Sequence, residues 1–165
     1  MLLRPYRDAD AAGTLKVFRR AIRTLAGHDY APEQVDAWAS PEIDPAVWAQ
    51  KRRTRRTQVA DTDGRVVGFT DIDDDGYIDM LFVDPDVARQ GVGSALLEWA
   101  RITAEGLGAR ELTTNASRTA RPAFEAHGFT VVAEQCVVLR GVAMPNLRMR
   151  RPLSASTRVP DPDRP

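Results

Sequence analysis

The chain has a single cysteine, Cys136, among its 165 residues. It can form no internal disulfide and offers no cysteine cluster to a metal, and no metal is expected. Net charge is missing too, because 23 basic and 23 acidic residues cancel. Nothing global therefore draws the chain to nucleic acid or to an anionic membrane. No apolar run approaches the roughly 18 residues of a membrane span. No leader-like apolar stretch precedes Tyr6, so a cytoplasmic protein is expected. No internal repeat is visible. The remaining composition, 43% hydrophobic and 28% charged, is ordinary for one globular domain with a real core. Homodimerisation is left open by the sequence.

What is present is organised around Tyr77 to Ala100. Ile78 to Val83 is apolar or β-branched apart from Asp79, which predicts a buried strand. Asp84-Pro85 stops it, since proline cannot continue the ladder and restrains the residue before it. Arg89, Gln90, Gly91, Val92, Gly93 and Ser94 then lead into a helix. Its apolar side is expected at Val92, Leu96, Trp99 and Thr103. Glycines at a helix start let another molecule approach the backbone, and unpaired N–H groups with the helix dipole favour phosphate oxygens there. The segment reads as a pyrophosphate cradle. It is not a dinucleotide fingerprint, because Leu96 stands at the third glycine position. Glu111, about twenty residues on, opens the next apolar run rather than closing it, which is wrong for a ribose ligand. A GxxxxGK[ST] loop is absent.

Taken in order, Leu2-Leu3-Arg4-Pro5 is a first strand. Asp8 or Asp10 can cap a helix with Leu15, Phe18, Ile22 and Leu25 inward, ended by Gly27. Pro32 starts a second helix with Val35 and Trp38 inward. Asp44-Pro45 starts a third, with Val47 and Trp48. Lys51 to Arg56 reads as a solvated helix end and loop, or else as a contact to an anionic partner. Thr57–Ala60 and Arg65–Ile72 form a hairpin across Asp61-Thr62-Asp63-Gly64. Glu111–Thr114 makes another strand. Thr119 can cap the next helix, with Pro122 in its first turn and Gly128 closing it. Thr130–Leu139 and Asn146–Arg151 read as two late strands. From Pro152 the Pro-rich tail reads as disordered.

Three segments together resemble one family. Gly91 and Gly93 match the [QR]-x-x-G-x-[GA] loop of the GNAT N-acetyltransferase superfamily, although Ala88 departs at the Gln/Arg position. Ser117 through Phe129 resembles its N-x-x-A-x-x-F-Y-x-x-x-G-F signature. His28-Asp29-Tyr30, Pro32 to Val35 and Ala37-Trp38-Ala39 resemble the YafP-like bacterial branch, as do Tyr77 to Pro85 and Arg140-Gly141. The resemblance covers residues 1–151, taken as one domain ahead of the tail. It implies an α/β GNAT fold, a central mixed twisted sheet of about seven strands with strands four and five splayed and helices on both faces.

It also implies chemistry. Acetyl-CoA is the expected cosubstrate, with its pantetheine arm along Met80, Leu81, Phe82 and Val83. The pyrophosphate falls to Arg89 through Ser94, and Ser117 and Phe124 lie beside coenzyme A. The expected reaction moves the acetyl group to a primary amine of a small molecule, by direct attack in a ternary complex. Alternatives are a protein or aminoacyl-tRNA amine met by Lys51–Arg56, and a non-catalytic acyl-CoA sensor. Asp79 is the first candidate base, because a carboxylate in an apolar strand needs a partner, a pKa shift or an opening to solvent. His28 and Tyr30 come next, their loop bordering the acceptor pocket in this family. Tyr30, Trp38, Asp71 and Asp79 are the candidate acceptor contacts, Asp71 belonging to an acidic cluster with Asp73–Asp75. Phe124 stands where many members carry the tyrosine that protonates the leaving thiolate. The thiolate then leaves unaided, or Tyr30, Ser117 or Cys136 supplies a proton through water. Cys136 itself reads as a small buried hydrophobe, and His127 as structural.

Overall fold

The computed structural model describes residues 1–153. The tail beyond, for which disorder is expected, lies outside them. Strands are β1 (Leu2–Pro5), β2 (Arg56–Thr62), β3 (Arg65–Ile72), β4 (Tyr77–Ile78), β5 (Leu81–Val83), β6 (Glu111–Ala116), β7 (Thr130–Leu139) and β8 (Val142–Pro152). Helices are α1 (Ala11–Leu25), α2 (Pro32–Trp38), α3 (Pro45–Thr54), α4 (Val92–Leu107) and α5 (Arg121–Ala126). Among the described residues no helix is long and apolar enough to cross a membrane.

The strands form two four-stranded sheets rather than one run of about seven, ordered β1-β2-β3-β5 and β4-β6-β8-β7. β5 pairs antiparallel with β3, Phe69 opposite Phe82. β4 pairs parallel with β6, Tyr77 opposite Thr113. The apolar run read as one strand is thus broken at Asp79-Met80, and the chain passes there from one sheet to the other. The break has a cause. The Asp79 N–H donates to the Asp71 carboxylate at 3.2 Å instead of to a neighbouring strand. Met80 stays with β3, its O accepting from the Asp71 N–H at 3.1 Å and from the Thr70 hydroxyl at 2.8 Å, so the interruption falls at Asp79.

Asp71 is held by the run that composition places on the surface. Arg52, fully buried, bonds Asp71 through Nη1, and Arg55 Nε reaches the other carboxylate oxygen at 3.0 Å. The Arg52 guanidinium also lies 5.1 Å from the Trp48 ring centroid. Arg53 pairs with Asp8 and Arg56 with Asp74. The reading of Lys51–Arg56 as a solvated end is therefore corrected at Arg52. Burial pushes the Asp71 carboxyl up from the ordinary range while the two guanidinium groups pull it down.

Helix α4 is turned from the expected stripe. It buries Val92, Leu96, Leu97, Ala100 and Ala104, whereas Trp99 and Thr103 are only half-buried. It packs across both sheets, Val92 and Leu96 on Ala60 and Val67, and Leu97, Ala100 and Ala104 on Ile78 and Leu112. Ser117, not Thr119, caps the turn into α5, accepting from the Ala120 N–H at 3.0 Å; Thr119 bonds Asp29 instead. The β2–β3 turn is Asp63-Gly64, with φ of 53° and 81°, the twist a two-residue hairpin needs. Cys136 is exposed on β7, because that strand closes one edge of its sheet and shows both faces over much of its length.

Removing one member of a buried ion pair leaves the other charge uncompensated, at a cost of about 3–5 kcal/mol. Asp71→Asn should lose stability on that scale in urea denaturation. Asp8→Asn, at the exposed Arg53 pair, should cost under about 1 kcal/mol.

Candidate active site

Where the two sheets part, a cavity of about 510 Å³ opens. One wall is the broken segment itself, Asp79, Met80, Leu81, Phe82 and Val83. Thr114, Asn115, Ala116 and Ser117 at the end of β6 face it across the gap. Phe124 of α5 and Gly93 of α4 also reach the space. The remaining lining is largely apolar and includes Tyr30, Trp38, Leu139 and Met144.

Asp79 supplies the only carboxylate among the described residues that line this cavity. It is not sunk in the strand as the sequence suggests. Its side chain is 40% exposed, and Arg52 Nη2 lies 3.7 Å from Oδ2. That Arg52 nitrogen makes no hydrogen bond among the described residues, so it acts on Asp79 as a buried charge rather than as a donor.

Tyr30 and Trp38 meet edge to face, their centroids 5.6 Å apart, and form the wall beneath α1 and α2. The Tyr30 hydroxyl is committed on both sides. It donates to Pro145 O at 2.8 Å and accepts from the Arg118 N–H at 3.0 Å. Burial raises its pKa further. A proton held in this way is poorly placed for transfer, which corrects the catalytic expectation for Tyr30 and leaves its ring as a wall. His28 is exposed and does not line the cavity, since the turn after α1 points it outward. Asp71 is corrected as an acceptor contact: it lies wholly buried behind Asp79, bonded to two arginines. Asp73 Oδ1 accepts from the N–H groups of Asp75 and Tyr77, closing a turn.

At the start of α4, Gly91 has a φ of 85° that admits the sharp entry. Arg89, Gln90, Gly91 and Ser94 are exposed there, and Val92 turns its side chain into the core. Ala95 is the first residue whose N–H is taken, by Gly91 O at 3.0 Å, and the N–H groups of Val92, Gly93 and Ser94 meet no acceptor among the described residues. Gly93 is not demanded by the fold. A Cβ there would meet only Val83 Cγ2, at an ordinary 3.7 Å, and would otherwise project into the cavity mouth.

Residues 27–151 match the family described as Acetyltransferase (GNAT) domain. The chain belongs to the GNAT acetyltransferase family. It is 40% identical over 148 residues to the uncharacterised N-acetyltransferase YafP of Escherichia coli K12, covering 90% of this chain and 93% of that one. A GCN5-related N-acetyltransferase from Rhodopseudomonas palustris superposes with a TM-score of 0.89 at 35% identity, covering 92% of this chain and 95% of that one. The PaiA N-acetyltransferase of Thermoplasma acidophilum, solved with coenzyme A, shares the fold at a TM-score of 0.75 and 16% identity, covering 92% and 98%. As a GNAT protein the chain is an acyltransferase of the N-acetyl-transferring type.

Sequence reasoning missed Tyr77, Asn115 and Arg52. Tyr77 could have been found from strand period, since it stands two residues before Asp79 on the same side of the run. Arg52 carries no such signal, because nothing local distinguishes it from Arg53.

Tyr30→Phe keeps the ring and leaves Pro145 O and the Arg118 N–H without their partner. It should cost about 1–3 kcal/mol in thermal or urea unfolding. Turnover at a temperature where the variant is folded should stay within about threefold of wild type.

Proposed function

We propose that the protein transfers the acetyl group of acetyl-CoA to the primary amine of a small molecule by direct attack in a ternary complex. The observation that carries this reading is the cavity at the Asp79-Met80 break, with one carboxylate at its wall and an open helix N-terminus beside it. The residues present fit coenzyme A. Val92, Gly93 and Ser94 offer N–H groups to a pyrophosphate, Gly91 shapes the turn, and Arg89 and Gln90 flank it. The missing Cβ of Gly93 leaves room for the pantetheine arm to run along Met80 to Val83. Ser117 and Phe124 would border it from the far side. The T. acidophilum relative, solved with coenzyme A, lends support to this choice of donor.

Three tasks follow from the chemistry. A cationic amine with a pKa of roughly 10 must lose a proton before its nitrogen can attack. Asp79 serves here, at the cavity wall and open to solvent on one side. The thioester oxygen must be polarised. The Met80 N–H, which meets no acceptor among the described residues, is the donor nearest that carboxylate along the chain. The amine must also be held, and Trp38 and the Tyr30 ring enclose it while Asp79 draws its charge.

A macromolecular acceptor met through Lys51–Arg56 is the weaker reading. Arg52, Arg53, Arg55 and Arg56 are each paired with a carboxylate of this same chain, so the run offers little free charge to RNA.

Thiol release from acetyl-CoA across a panel of amines tests the reading. Asp79→Asn should lower turnover at least about tenfold while leaving acetyl-CoA affinity within a few-fold, a loss of about 1.4 kcal/mol per tenfold. Equal turnover would remove Asp79 from the reaction. Silence across the panel, with acetyl-CoA still raising the melting temperature, would favour a sensor.

A further inference from the structure

The leaving thiolate has no proton donor at Phe124, and the cavity itself limits what can replace it. Five hydroxyl groups line it among the described residues: Tyr30, Tyr77, Thr114, Ser117 and Thr119. Tyr30 gives its proton to Pro145 O at 2.8 Å. Thr114 gives its proton to Ile78 O at 2.9 Å, tying β4 to β6. Thr119 gives its proton to Asp29 at 2.7 Å. Ser117 caps the turn into α5, and an aliphatic alcohol is a much weaker acid than a phenol. Tyr77 is different. Its oxygen accepts from Asn115 Nδ2 at 3.3 Å, while its own proton meets no acceptor among the described residues.

We propose that Tyr77 is the catalytic acid of this enzyme, its hydroxyl donating to the sulfur of the leaving thiolate. The inference rests on the acetyl-transfer reading above. The amine nitrogen bonds to the thioester carbon, the C–S bond breaks with its electron pair going to sulfur, and the phenol proton moves to that sulfur. Free thiol and phenolate result. The proton that the amine has lost, passed to Asp79 and solvent, then returns the phenolate to phenol, so the cycle closes with no other reactant.

The surroundings of Tyr77 are built to orient the group. Gln135 Nε2 donates to Asn115 Oδ1 at 2.9 Å, and Asn115 in turn donates to Tyr77. Three elements, β7, β6 and β4, thus contribute one directed chain of donors that ends at the phenol and leaves its proton for the cavity. Tyr77 and Thr113 are register partners, and Asn115 stands two residues further on, so the relay occupies one face of the sheet. The Arg55 guanidinium lies 5.8 Å from the Tyr77 ring centroid and favours the phenolate when it forms. The charged groups acting on the phenol are Asp79 on its own segment, Asp71 on β3, and Arg55 before β2. Burial foremost, and the Asp79 charge next, hold the phenol above its ordinary pKa, so it is protonated through the neutral range. Asn115 and Gln135 are positioning residues in this scheme.

The test compares wild type with Tyr77→Phe and Asn115→Ala, using acetyl-CoA and 4-nitrothiophenyl acetate as donors. The nitrothiophenolate is a better leaving group that needs no acid. Tyr77→Phe should lower kcat with acetyl-CoA at least about tenfold, with acetyl-CoA affinity within a few-fold, and the loss should shrink to under about threefold with the activated donor. In wild type the rate should fall at alkaline pH as the phenol ionises. Asn115→Ala removes a bond that favours the phenolate, so this limb should move to higher pH and kcat should drop. Equal kcat in Tyr77→Phe, or the same loss with both donors, would overturn the assignment while leaving the acetyltransferase reading intact. If Tyr77→Phe does not fold, an unmoved alkaline limb in Asn115→Ala overturns it alone. Wild type that releases no thiol with any amine would defeat both readings together.

Discussion

The structure depends on one buried ion pair. Arg52 and Asp71 sit fully enclosed beneath the cavity, and the Asp71 carboxylate does more than neutralise a charge. It takes up the Asp79 N–H, which in an unbroken strand would bond to a neighbour. On either side of it the backbone still bonds to the β3 side, Met80 O to the Asp71 N–H and Tyr77 O to the Asp73 N–H, so the ladder is interrupted at Asp79 itself. The chain changes sheets at this point, a gap opens, and Asp79 is carried to its edge. One desolvated charge pair thus lies directly behind the interruption and holds the backbone of the candidate base.

Much of this frame is legible in the sequence. The helix starts at Pro32 and Pro45, the Asp63-Gly64 hairpin, the stop at Asp84-Pro85 and the glycines at the head of α4 are each local devices. Each acts within a few residues, so reading them needs no knowledge of the partner element. The break in the Tyr77–Val83 run is not of this kind. It is imposed by Asp71 across the sheet, and Asp71 is in turn held by an arginine about nineteen residues upstream in a helix that composition marks as polar. The stripe on α4 fails for a related reason. A helix that packs on strands of two sheets buries a wider arc than one packed on a single sheet, so Leu97 and Ala100 displace Trp99 and Thr103.

The candidate site shows the same division. Asp79, the Met80–Val83 wall and the Gly93 opening follow from the motif that bears them. Tyr30 belongs to the cavity by sequence position, but only the fold shows its hydroxyl spent on Pro145 and Arg118. Tyr77 goes the other way. It looks like the first residue of a strand, and gains its interest from Asn115 and Gln135, which lie on strands far along the chain.

The cost of enclosing Arg52 bears on how this fold could be made more stable. Two of its nitrogens, Nε and Nη2, make no hydrogen bond among the described residues, so the pair is held at a thermodynamic disadvantage. A matched pair of apolar side chains at positions 52 and 71 would pack without that penalty. It would also leave the Asp79 N–H without the carboxylate that now accepts it. Stability at this pair and the hold on the cavity wall are therefore coupled, and a change that improves the first loosens the second.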